Sequence, residues 1–472
     1  MRQLFLTAAL QFFASLAYTQ WQPDVRLTNN TAESYTSYGA ARSIAADGDT
    51  VHIVWFDSRD GNPEIYYKQS TDGGITWNED TRLTNSGAET EFPAISVSES
   101  NVHVVWGDTR DGGDLEIYYM HSTDGGVTWN ADIRLTDDNN YSSYPSCAVS
   151  AEVVHVVWED YRDGNLEIYY KRSEDGGLTW STDARISDNS YESENPSVAV
   201  SGSTVHIVWN DDRHGANEVY YKRSINGGVT WGAETRLTND PAFGNLASLA
   251  VSGTNVHLTW YDERDGNREI YYKNSTDDGI SWGSDTRLTT DTSASNSPSL
   301  SLVGSNVHLV FHDERDGNKE IYYKHSSDGG INWSSDTRLT DAEGVSGRPS
   351  ILASEEALQV VWYDERDGNS EIYYKRNSTG GSVDFDENPS PEFQFSVYPN
   401  PANSFLNLEF SDGLNKGTIE IFSILGERVF SEPVISSSKK EINLKSFSQG
   451  IYLLTMFNGK EYFSKRILIT KG

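Results

Sequence analysis

Along most of the chain, short apolar runs rich in Val, Ile, Tyr and Trp alternate with clusters of Gly, Asn and Asp. One set reads PSVAVS (196–201), VHIVWND (205–211), NEVYYKRS (217–224), then a segment from Trp231 ending in TRLT at Thr238. Apolar runs of this length between turn residues predict strands. No window shows the 3.6-residue period of an amphipathic helix. The set therefore predicts four strands and an all-β chain.

The set recurs. A turn motif like STDGGITW closes at Trp77, Trp129, Trp180, Trp231, Trp282 and Trp333. In the second strand, an Asp two residues after an aromatic recurs at Asp57, Asp108, Asp160, Asp211, Asp262, Asp313 and Asp364. Four strands in every fifty or so residues, repeated in tandem, predict a β-propeller, here seven-bladed. WQPDVRLT (21–28) carries the Trp and Arg-Leu-Thr of a fourth strand without a preceding turn. The last turn, NSTGGSVD (377–384), lacks the Asp, the Trp and any following Arg-Leu-Thr. The N-terminal strand is thus expected to complete blade seven and close a propeller spanning 20–376, leaving no open edge.

Charge and the ends of the chain add the setting. Net charge is −33, and 394–472 is slightly basic, so the acidity belongs to the rest. An acidic surface repels phosphate backbones, which argues against nucleic acid. Residues 1–19 pair Arg2 with the apolar run LFLTAALQFFASLA, a signal peptide too short to span a bilayer, and no later segment reads as transmembrane. Cys147 is the sole cysteine, so no intrachain disulfide is available and a buried apolar role is expected.

The turn motif resembles the Asp box, or BNR repeat, of the sialidase superfamily, Ser-x-Asp-x-Gly-x-Thr-Trp. It reads Ser70, Asp72, Gly74, Thr76, Trp77 in the first copy, and Asp124, Asp175, Asp277 and Asp328 hold the acidic position later, with Asn226 in the fourth copy. The resemblance implies a structural turn on the face opposite a ligand site. A second resemblance covers 394–472. VYPNPANSFLNLEF (397–410), IEIFSILGERVF (419–430) and GIYLLTMFNGK (450–460) are similar to a type IX secretion sorting domain. That implies a small C-terminal β-sandwich, recognition by the type IX machinery, and a secreted or surface-attached product of a Bacteroidetes-type cell. The polar stretch 377–393 reads as a linker.

Chemistry specific to one site should stand out as departures from the repeat. The Asp-x-Arg-Asp-Gly-Asn loop recurs in nearly every blade, as at Asp57, Arg59, Asp60 and Asn62, and reads as a turn held by Asp–Arg pairing. Calcium is the one cofactor it would suit. A His in six of the seven second strands, from His52 to His308, with Gln359 in the last, reads as a hydrogen-bonded interblade residue. The interblade loops differ most. Tyr35, Tyr38, Tyr141, Tyr144, Tyr191 and Phe243 could stack on sugar rings, and Glu33, Glu89, Glu91 and Glu192 could accept hydroxyls. Arg42, Arg268 and Arg348 fall outside common repeat positions. Arg42 and Arg348 begin the first strands of neighbouring blades, one and seven, and are candidates to hold a carboxylate.

The sialidase pattern of an early Arg-Ile-Pro is missing: Ala41–Ile44 reads ARSI, and Gly347–Ile351 reads GRPSI. No pair of carboxyl groups stands out for glycoside hydrolysis. The expected function is a secreted propeller that binds glycans or extracellular proteins through its interblade loops. The alternative is a divergent, sialidase-like exo-glycosidase.

Overall fold

The computed structural model describes residues 21–38, 41–137, 140–378, 395–399, 402–423, 428–457 and 462–471. The signal peptide expected at 1–19 and most of the linker lie outside them. The chain divides into two compact units, Met1–Ser382 and Val383–Gly472.

The described residues of the first unit form seven antiparallel sheets that follow one another along the chain in a propeller-like arrangement. Sheet four is representative, with strands Ser193–Ser201, Thr204–Asp211, Glu218–Ser224 and Thr235–Arg236. Its first strand begins earlier than the apolar run suggested and carries a bulge between Glu194 and Ser197. Its fourth strand is only two residues long, pairing Arg236 with Tyr220 and Thr235 with Tyr221. Side chains finish what the ladder does not: Arg236 pairs with the buried Glu218, and the Thr238 hydroxyl donates to the same carboxylate.

Sheet seven takes its outer strand from the opposite end of the unit. Val25 and Arg26 pair with Tyr374 and Tyr373, and Trp21 bridges to Asn377, which ends the strand Glu371–Asn377. Adjacent inner strands are tied by serines. Ser146 accepts from the Val198 amide at 3.4 Å, Ser248 from Leu300 at 3.2 Å, and Ser350 of sheet seven from Ser43 of sheet one at 3.3 Å. Trp55, Val361, Ile372 and Tyr374 share a core between sheets one and seven.

Each second-strand His bonds the third-strand Tyr of its own sheet, as His52 Nδ1 does to the Tyr67 hydroxyl at 2.7 Å. This replaces the interblade bond expected from the sequence. The contact with the next sheet falls to the Tyr instead. Tyr67 lies edge-on to Trp129, and a Cβ on Gly126 would meet its hydroxyl at 1.9 Å. Gly126 also sits at φ +86, so glycine is required there twice over. In the same turn Asp124 accepts from the Thr128 amide at 2.8 Å and hydroxyl at 2.6 Å. Asp72, Asp175, Asp277 and Asp328 repeat the arrangement.

The C-terminal unit has strands Phe395–Tyr398, Phe405–Ser423, Arg428–Asn443, Gly450–Phe457 and Tyr462–Ile469 around a core that includes Leu406, Leu408, Ile421, Leu454 and Ile467.

Candidate functional site

The Asp-box turns join third to fourth strands. The Asp-x-Arg loops join second to third, and the interblade segments join fourth to first. The last two therefore share the end of the sheets opposite the Asp boxes. The Asp-x-Arg loop is internally satisfied. Asp57 accepts from Ser34 at 2.7 Å and Trp55 at 3.1 Å and pairs with Arg59, which also pairs with Asp80 at 2.6 Å and lies over Tyr66. Among the described residues no three carboxylate, imidazole or thiol groups gather as a metal would need.

Just above these constant groups lies one cross-strand pair per sheet, and here the repeat breaks down. Between the constant aromatic and Asp of the second strand stand Phe56, Gly107, Glu159, Asn210, Tyr261, His312 and Tyr363. Their first-strand partners are Tyr35, Glu91, Ser143, Glu194, Asn245, Asn296 and Gly347. Small residues leave space for large ones: Gly107 faces Glu91, and Gly347 faces Tyr363. The bulge follows at once. Phe92, Tyr144, Asn195, Leu246, Ser297 and Arg348 all hold φ between 47° and 56°, a strained region for residues other than glycine. Bulges re-aim side chains and are frequent beside functional sites.

Sheet one departs further. Its first strand is split into Ser34–Tyr35 and Ile44–Asp47, with Thr36–Arg42 where sheet two has only Phe92 and Pro93. The extra residues carry Tyr38 and Arg42. Thr36 donates to the Arg348 carbonyl at 2.7 Å, so this segment is bound to sheet seven. The Arg348 guanidinium lies among three rings, 5.3 Å from Tyr35, 5.1 Å from Tyr38 and 5.7 Å from Tyr363. Tyr38 reaches Tyr144 at 6.0 Å, and Tyr144 stacks on Phe92 at 4.2 Å. One aromatic network thus spans sheets seven, one, two and three. Tyr141 flanks it, half-buried with Glu91, Glu159 and Glu194 as charged neighbours. On the far side Arg268 covers Tyr261 at 4.8 Å and pairs with Glu263 at 3.0 Å, while Phe243 lies beside Tyr261. Tyr191 stands further out, 51% exposed, and its hydrogen bonds run through its backbone.

The charges at this end divide by side. Sheets two to four bring Glu91, Glu159 and Glu194. Burial pushes all three carboxyls up, helped by neighbouring acids; Glu159 is pushed up to about 8 even though it accepts from the Asn195 amide at 2.9 Å and from Ser143 at 3.1 Å. Sheets five to seven bring His312, Arg348 and Arg268, the last already paired with Glu263, and Glu365 lies beside Tyr35 and Tyr363. Burial, then Lys319, Arg268 and Arg348, hold His312 down to about 3, so it is neutral. Between the two sides the Asn245 side-chain oxygen accepts from Asn195 and Asn210. Three buried polar atoms there have no partner: Asn195 Oδ1, Asn210 Oδ1 and His312 Nδ1. Buried orphans are rare enough to mark a place for a ligand or water.

Two of the loop glutamates are otherwise engaged: Glu33 accepts from the Ser370 amide at 2.8 Å and Glu192 from the Leu166 amide at 2.7 Å. At Glu89 the backbone amide and carbonyl bond Thr109. Arg42 and Arg348 start neighbouring strands, but their side chains line different cavities; Arg42 turns inward to the Leu249 carbonyl.

The sequence singles out Tyr35, Tyr38, Tyr141, Tyr144, Arg268 and Arg348 at this end, with Arg42 turned away from them, but not Glu159, Asn195, Asn210, Asn245, Tyr261 and His312. The signal was present: within a motif that repeats its Trp and Asp, the residue between them changes in almost every copy.

Residues 159–347 match the BNR repeat-like domain, and residues 396–470 match the secretion system C-terminal sorting domain. The sorting domain marks a protein exported by type IX secretion, released or held at the cell surface. Among the described residues no helix is long and apolar enough to cross a membrane. No curated protein matches the chain. Among solved structures it is similar to a PL25 ulvan lyase bound to -[GlcA(1-4)Rha3S]-, at 11% identity and TM-score 0.57, covering 76% of this chain and 97% of that one. It is also similar to a second polysaccharide lyase, at 11% identity and TM-score 0.51, covering 76% and 99%. A Hadza microbial sialidase is 16% identical, with TM-score 0.42 over 69% of this chain and 73% of that one. The likenesses to the two lyases are of fold.

Proposed function

We propose that the protein is a secreted seven-bladed propeller, closed by its N-terminal strand, that binds a glycan at the end opposite its Asp boxes. One observation carries this reading: seven cross-strand pairs that differ from sheet to sheet, set on scaffolding that does not. Each group there has a use in sugar recognition. Tyr38 and Tyr144 offer ring faces to sugar CH groups. Asn195, Asn210 and His312 offer unpartnered atoms to hydroxyls. Arg348, fixed among three rings, offers its donor fork to an acidic sugar, and the division of charge orients such a chain with its acid group toward sheets five to seven. The two similar folds named above belong to polysaccharide lyases, which agrees with this reading.

The test is isothermal titration of the full chain with neutral and uronate-containing oligosaccharides. Binding of the acidic series, weakened about tenfold or more by Arg348→Ala, is the expected result. Equal affinity in the variant removes the assignment.

A second reading, a divergent glycoside hydrolase, is favoured by Glu159 alone. A carboxyl group still protonated at neutral pH is what a general acid requires. Turnover of fluorogenic glycosides that disappears in Glu159→Gln supports it; no turnover by the unaltered protein removes it.

A further inference from the structure

Below the variable pairs the inner strands of all seven sheets line a partly open cavity of about 270 Å³. Its lining residues are mostly Ala, Val, Ile and Leu, with Ser96, Cys147 and Ser301; more of the surface they present is polar than apolar, and Arg42 is the one charged residue among them. Arg42 enters through the extra residues of sheet one, so no other sheet has a counterpart. It is half-buried, and it presents its accessible surface to the cavity.

The guanidinium has five N–H donors. One nitrogen, Nη2, donates at 3.2 Å to the carbonyl of Leu249, which belongs to sheet five. Among the described residues no carboxylate forms an ion pair with Arg42. The ionisable group that bears on it most is the Cys147 thiol, which burial pushes up to about 12 and keeps neutral. A buried cation with no counter-charge is unfavourable, and burial accordingly pulls the Arg42 pKa down. The second-strand loop arginines Arg59, Arg162 and Arg366 are each paired with two carboxylates. Arg42 has none, and it faces open space.

We propose that this cavity binds a small organic monocarboxylate, its head on Arg42 and its short alkyl tail along the Ala and Val side chains of the inner strands. The guanidinium fork matches a carboxylate in shape and charge. The Ala and Val side chains in the lining give a short alkyl tail an apolar strip to lie along, and the volume, at the lower limit for ligand sites, suits a small ligand. The site is separate from the one proposed for glycans and does not depend on it.

The experiment is thermal unfolding of the full chain in a carboxylate-free buffer, titrated with butyrate, acetate or bromide, alongside Arg42→Met. The unaltered protein is expected to gain about 3–4 °C in saturable fashion when butyrate exceeds its Kd a hundredfold, with less from acetate. Arg42→Met, which keeps the apolar stem and loses the charge, is expected to melt no lower than the unaltered protein without ligand and to ignore butyrate. Equal shifts in both proteins overturn the proposal, and so does a shift that bromide alone reproduces. If the variant does not fold, crystals of the unaltered protein soaked in 4-bromobutyrate decide. A bromine signal in the cavity beside Arg42 supports the site, and signals confined to the surface overturn it.

Discussion

At the scale of single residues, the decisive side chains are those buried where charge is costly. Glu159 holds its proton to about 8 in the folded protein and to 4.5 when free. Below pH 4.5 both states are protonated and nothing is lost. Between 4.5 and 8 the folded state binds more protons, so stability falls as pH rises, and the loss is complete above 8. Glu159→Gln, which can keep both the Asn195 and Ser143 hydrogen bonds, should therefore be more stable than the unaltered protein by ~2–5 kcal/mol at pH 9 and equal to it near pH 4. Denaturant melts at the two pH values check this. Glu159 was legible in the sequence only as a departure from a repeat. Its consequence, a carboxyl enclosed between two sheets, depends on the Asn195 bulge, and no local pattern announces that.

At the scale of elements, each sheet is fastened by the same few contacts. The second-strand histidines are held neutral by burial, His103 at about 3 and His52, His155, His206 and His257 at about 4. Unfolded, they take up protons near 6.5. Their contribution to stability is full above 6.5 and lost as pH falls toward 4. Calorimetry at pH 5 in buffers of different ionisation enthalpy should show uptake of about one proton for each of them on unfolding. Tyr119→Phe strips the partner from buried His103 and should cost about 1–3 kcal/mol at pH 7. The Asp boxes act more locally. Asp124→Ala frees the Thr128 amide and should speed its hydrogen exchange without altering any ligand affinity, since the turn lies at the far end of the sheets. The strands themselves were legible from apolar runs and turn residues. Two features were not. The fourth strand is cut to two residues because Glu218 and its counterparts hold the chain by side chain, and the first strand of sheet one is split because Thr36–Arg42 have no equivalent elsewhere.

At the scale of the whole molecule, repetition supplies the scaffold and its exceptions supply the site. The pairing of Val25 and Arg26 with the last strand was legible because a fourth strand was missing at one end and present, unattached, at the other. The Ser350–Ser43 and Trp55–Val361 contacts carry that closure inward. Removing 21–28 should expose the Glu371–Asn377 strand as an unpaired edge, broaden the unfolding transition and promote association, seen by calorimetry and light scattering. The most direct test of the central claim is a glycan array probed with three full-length proteins: the unaltered chain, a Tyr38→Ala/Arg348→Ala double variant, and Leu178→Ser at the Asp-box end. Selective binding by the first and third, lost in the second, is the predicted result. Binding that all three share equally, or that none shows, contradicts it.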